Sequence, residues 1–172
     1  RLTNGTLYDI RAYAYKDGYL GSYPEDTDRM ADYNAWSAAW CYRALLSYYD
    51  ATERSEVLDA VHRGLLWFCE NWKDHKTDYV GSILTEPMSI VYAYTKDKRL
   101  LDFCRDWQAW LEENSPWQNK TSDYLSDSLP YNSMHAVAYG ENVKSPLILY
   151  SVEGKDIEAE KEKMKSYLAQ NR

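Results

Sequence analysis

No part of this sequence carries a basic stripe, and no apolar run approaches the ~20 residues that crossing a bilayer requires. The net charge is −7 and the pI is near 5.0. Without clustered Lys and Arg to neutralise phosphates, nucleic acid is not an expected partner, and without a long apolar run neither is a membrane. Cysteine is scarce as well. Cys41, Cys69 and Cys104 stand far apart and match no zinc spacing, and their odd number argues against a disulfide framework. Three buried thiols are the expectation, with no metal ligand and no cofactor in this chain. There is no nucleophile elbow, phosphate loop or Cys–His pair. The acids of PEDTD, residues 24–28, suit a solvated loop better than a metal site, and His62 and His75 have no partner at ligand spacing.

Phenylalanine is nearly missing too, but tyrosine and tryptophan are not: 17 Tyr and 7 Trp stand against 2 Phe. Rings with a polar tip suit half-wet surfaces, carbohydrate grooves and partner-facing grooves. The competing reading is that they fill gaps between helices. At 172 residues the chain is a single domain or a piece of a larger one. A chain of this size buries roughly 70% of its unfolded surface, enough for a core without staples.

A repeat organises the chain. At an offset of 43 residues the pairs Tyr49/Tyr92, Thr52/Thr95, Leu58/Leu101, Asp59/Asp102, Trp67/Trp110, Glu70/Glu113 and Asn71/Asn114 are identical. Periods of this size mark stacked helical hairpins. The first unit pairs a helix over 32–50 with one over 55–72, where Leu58, Val61, Leu65, Phe68 and Trp72 form one apolar face. The second pairs 84–94 with 99–113, whose apolar side carries Leu100, Phe103, Cys104, Trp107 and Leu111. Pro87 belongs in a first turn, so its helix is expected to start at Leu84–Glu86. A third unit pairs 133–150, kinked at Gly140 or Pro146, with a charged helix over 156–170. The first helix of each unit is apolar nearly all round and is expected to be buried on every side, the second on one face. The fold class is therefore all-α, a helical-hairpin repeat forming part of an (α/α)6 toroid of the six-hairpin type. Helices 32–50, 84–94 and 133–150 should share its inner layer.

The stretches KDGYLGSY, WSAAWCYRALLSYYDATE, SILTEPMSIVYAYTKDKRLLDFC and HAVAYGENVKSPLILYSVEG, in that order, resemble glycoside hydrolase family 127, the β-L-arabinofuranosidase-like enzymes. The resemblance runs from about Asp17 to Leu168. It implies an (α/α)6 barrel acting on furanosides, of which residues 1–172 form one all-α part, and a glycoside hydrolase as the parent. The family's catalytic glutamate and zinc-binding cysteines belong to a stretch after the part matched here. No catalytic residue is therefore assigned, and the chain alone is expected to be inactive.

The candidate site lies where the inner helices begin, at Asp32–Tyr33–Asn34–Trp36, at Glu86, and at Tyr131–Asn132–His135. The substrate-binding residues expected there are Trp36, Glu86, Tyr131 and His135. A carboxylate accepts hydrogen bonds from paired hydroxyls, and an aromatic face stacks on the C–H side of a sugar. The resemblance implies sugar-contact roles for Glu86 and His135. Against this stand a first-turn charge complementing the helix dipole for Glu86, a packing role for His135, and core positions for Trp36 and Trp40. Glu141 is weighed as a second carboxyl and set aside, because its offset turns it about 120° from the face of His135. The alternative function is a non-catalytic helical scaffold that binds glycan or a protein partner. An incomplete toroid would expose Tyr and Leu side chains along its edge, so self-association or a complementing barrel half is the expected protein partner.

Overall fold

The computed structural model describes residues 17–24, 26–76, 80–114 and 136–170. Among them every regular element is a helix: α1 (Asp32–Thr52), α2 (Ser55–Asn71), α3 (Val80–Thr95), α4 (Lys98–Asn114), α5 (Ala136–Val152) and α6 (Glu158–Gln170). None is long and apolar enough to cross a membrane.

The two-residue connections from α1 to α2 and from α3 to α4 are built alike. Glu53 and Lys96 adopt left-handed backbone, at φ 54° and 58°. Each donates its N–H back into the helix it ends, Glu53 to Tyr49 O at 2.7 Å and Lys96 to Tyr92 O at 2.9 Å. The left-handed residue satisfies a last-turn carbonyl and reverses the chain, a role glycine more often fills. Two identical pairs of the sequence repeat make matching side-chain bonds. Thr52 Oγ1 donates to Tyr48 O and Thr95 Oγ1 to Val91 O. Asn71 Nδ2 donates to Trp67 O and Asn114 Nδ2 to Trp110 O. The connection from α5 to α6 turns at Gly154, φ 69°.

α3 packs between α1 and α5, while α2 and α4 lie against one another and cover that row; α6 packs on α5. Arg43 meets Glu86, and Asp50 meets Tyr94, so α1 and α3 run in the same direction. The core holds Val61, Leu65, Phe68 and Trp72 of the first amphipathic face and all five residues expected of α4. Leu58 is only half-buried against it. The segment before α1 is pinned by Tyr19, whose hydroxyl donates to Asn34 Oδ1 at 2.6 Å and whose ring carries the Arg29 guanidinium 4.1 Å from its centroid. Trp67 Nε1 ties the same segment to α2 through Asp17 Oδ2 at 3.1 Å. Gly64 is needed where α1 and α2 approach closely. A Cβ there would lie 2.6 Å from the Tyr42 hydroxyl, which donates to Leu20 O.

Three expectations are corrected. α3 begins at Val80, so Pro87 lies inside the helix and Glu86 in its middle turns. A proline has no N–H to give the carbonyl four residues back, and that carbonyl, Ile83 O, instead accepts from Arg43 Nη2 at 3.3 Å. The interior proline is tolerated because a neighbouring helix supplies the lost donor. Second, among the described residues α3 alone is enclosed nearly all round. α1 keeps an open face carrying Tyr33, Ser37, Trp40, Ala44 and Ser47, because no described element lies beyond it. Third, the cysteines are not all buried: Cys104 is, Cys69 is half-buried, and Cys41 is exposed on that open side of α1.

Candidate functional site

The row of apolar helices holds few charges. Apart from Asp32 and Asp50 near the ends of α1, they are Arg43 in α1, Glu86 in α3, and Glu141 and Lys144 in α5. All four meet. Arg43 forms a two-pronged pair with Glu141, Nη2 to Oε2 at 2.7 Å and Nη1 to Oε1 at 3.2 Å. Its Nη2 also lies 3.0 Å from Glu86 Oε2. Lys144 Nζ bridges the two carboxylates, 2.8 Å from Glu86 Oε2 and 3.0 Å from Glu141 Oε2. Beside them Ser145 Oγ donates to Thr85 Oγ1 at 3.1 Å, stitching α5 to α3.

The cluster has a buried layer and an open layer. The side chains of Arg43 and Glu141 are 13% and 6% exposed; those of Lys144 and Glu86 are 35% and 33% exposed. A planar guanidinium suits the buried position, since its fork matches a carboxylate and its charge is weakly hydrated. Its far side rests over the indole of Trp40, 4.7 Å from the ring centroid, a cation–π contact that half-covers the cation. Two cations and two carboxylates leave the cluster formally neutral. The open pair, Glu86 and Lys144, presents an acceptor and a donor side by side.

Of the four residues expected at the site, Glu86 is in this cluster. Trp36 is half-buried and packs against the core. Tyr131 and His135 lie outside the described residues. Asn34, named with Trp36 at the start of the inner helix, is fully buried and occupied by Tyr19 and by Arg29 O. The dipole reading of Glu86 fails, because the residue is two turns from the helix start and is held by cations of two other helices. Trp40, assigned to the core from sequence, is 50% exposed. Glu141, set aside by its angle to His135, faces Arg43 instead.

Arg43 and Lys144 were missed. The signal for Arg43 is nonetheless present: it is the single basic residue of α1 and stands one repeat length, 43 residues, before Glu86, the single charged residue of α3. A charge isolated in an apolar helix requires a partner, and equivalent positions on adjacent parallel helices are neighbours. Comparison with known proteins adds no assignment. No protein-family model, curated protein or solved structure matches this chain.

Outside the cluster, His62 and Asp97 join α2 to the turn between α3 and α4. His62 Nε2 donates to Asp97 Oδ2 at 2.9 Å, and Asp97 also accepts from Arg99 Nη2 at 2.6 Å and Nε at 3.0 Å. Hydrogen bonds from the Arg99 side chain, chiefly, hold the Asp97 carboxyl well below the usual carboxylate range, against the opposing effect of burial. Burial pushes the Cys69 thiol up to about 12 and Cys104 higher still, so neither is a ready nucleophile. Among the described residues, no three His, Cys, Asp or Glu side chains are grouped so as to hold a metal ion.

Proposed function

We propose that this chain is a sugar-binding portion of a carbohydrate-active enzyme of the glycoside hydrolase family 127 kind, one stretch of an (α/α)6 toroid built from helical hairpins. The observation that carries the reading is the exposed indole of Trp40 set against the neutral cluster of Arg43, Glu86, Glu141 and Lys144. An indole face covers the C–H side of a sugar, while the half-exposed Glu86 and Lys144, though bonded to one another at 2.8 Å, border water where its hydroxyls would lie. Arg43 and Glu141 lie beneath and fix the positions of both. The matching turns at Glu53 and Lys96 and the parallel course of α1 and α3 support the hairpin-repeat part of the proposal.

Calorimetric titration of the chain with furanose-containing oligosaccharides tests it. Trp40→Ala should weaken binding at least tenfold and Glu86→Gln by a smaller factor, consistent with a stacking surface and one hydrogen-bond acceptor. Binding unchanged in both variants would end the proposal. A second reading, a non-catalytic helical scaffold, is favoured by one feature: both carboxylates of the cluster are engaged by cations, the arrangement of a brace between helices rather than of an acid and a nucleophile flanking a bond.

A further inference from the structure

Along the open side of α1 stand Tyr33, Ser37, Trp40, Ala44, Ser47 and Ala51, all exposed. Their spacing alternates four and three residues over the whole helix, the period of a seam along which a second helix lies. None of the six is charged, in a chain whose net charge is −7. Two are large and bare, Tyr33 at 80% exposed and Trp40 at 50%.

The sizes along the seam select its occupant. The helix runs from Asp32 to Thr52, so its midpoint is at Tyr42. Reversed about that level, the row sets Tyr33 against Ala51, Ser37 against Ser47 and Trp40 against Ala44. A second α1 laid antiparallel therefore meets large with small at every ring, and each contact recurs on the other side of a two-fold axis. A parallel copy would stack ring on ring and leave alanine facing alanine. We propose that α1 is the self-complementary interface of a homodimer, two copies joined antiparallel through this seam with the axis at the level of Tyr42.

A whole Tyr or Trp ring buries about 150–250 Å², and what Tyr33 and Trp40 leave bare comes to roughly 300 Å² per copy. With the small residues between them a pair covers about 1,000 Å², the threshold of specific association, so the dimer is weak and reversible. The uncharged seam does not repel its own copy, but the charge elsewhere does, and added salt should tighten the pair. Cys41 is exposed beside the seam and one residue from the axis, so the two copies of it lie about 3 Å apart along the helices. The dimer does not depend on the carbohydrate reading. The two share Trp40, so a bound sugar and a second copy exclude one another.

Sedimentation of the full chain from micromolar to hundreds of micromolar should show a monomer–dimer equilibrium that salt shifts toward dimer. A short bismaleimide should link the dimer through Cys41, and Cys41→Ser should abolish the link. Trp40→Ala, which empties a layer, and Ala44→Trp, which sets ring against ring, should each weaken association about tenfold. The double variant exchanges the two sizes within one layer and should recover most of the loss. A monomer at every concentration overturns the dimer, and so does association that salt loosens. A dimer that does not link through Cys41, or a double variant as weak as the two single losses combined, places the contact on another face and overturns the seam. The linking of the unaltered chain needs no substitution, so the proposal stays open to refutation even where a variant unfolds.

Discussion

The charges between α1, α3 and α5 and those on α6 use the same side chains under opposite conditions. In the first group a guanidinium and a carboxylate are almost removed from water and are bonded to one another in two prongs. In the second, Lys161–Glu158 and Lys165–Glu162 pair at 2.6 Å on the solvent side of a helix that packs on α5. The distances are similar and the energetics are not. Removing one member of a buried pair strands the other charge in a low dielectric, whereas removing one member of a surface pair returns the other to water. Between the extremes sits Asp97, largely shielded but held by the exposed Arg99.

The largest expected effect is therefore at Arg43. Arg43→Met keeps the apolar stem and deletes the charge, leaving Glu141 buried with Lys144 as its one remaining cation and Ile83 O without its donor. The expected loss is about 3–5 kcal/mol in urea unfolding. Adding Glu141→Leu to Arg43→Met should return much of it, so that the double variant is far more stable than the sum of the single losses implies. A loss below about 1 kcal/mol for Arg43→Met would place the cluster in the surface class.

That contrast also explains what was legible in the sequence. The amphipathic faces of α2 and α4, the hairpin turns and the all-helical class follow from local periodicity and from pairs such as Asn71/Asn114, whose bonds lie within one turn. The start of α3 was misread because the rule for Pro87 is local, while the donor that allows an interior proline, Arg43, comes from 40 residues away. The candidate site suffered in the same way. Glu86 was found by its oddity in an apolar segment, but its partners belong to two other helices, and an angular argument confined to α5 turned attention from Glu141. Trp36 and Trp40 are four residues apart in a helix with one open side. Which of them meets solvent depends on what packs beside α1, and nothing local reports that.

The intermediate case is tested by acid. The Asp97 carboxyl is depressed in the folded chain, so its contribution is present above the usual unfolded value of about 4 and is lost as pH falls toward the folded value. Urea midpoints measured from neutrality downward should drop below pH of about 4 more steeply in the unaltered chain than in Asp97→Asn. The gap between the two should narrow as acid protonates the aspartate. A gap that stays constant with pH would mean that the carboxylate's charge is irrelevant and that only the shape of the turn matters.

The smallest effect belongs to α6. Lys165 and Glu162 stand 67% and 68% exposed, one turn apart on a helix, where the attraction is spread through water and must also hold two long side chains still. Salt weakens the pair further, since the screening length at physiological ionic strength is about 8 Å and both charges are in solvent. Lys165→Ala should leave the urea midpoint within the error of the measurement at physiological salt, and any difference seen at low salt should disappear when salt is added. Arg43→Met should behave differently in the same titration, because ions do not reach a buried pair and its loss persists at high salt. If the two variants respond to salt alike, burial does not separate the two groups of charges, and the positioning role given to Arg43 and Glu141 fails with it.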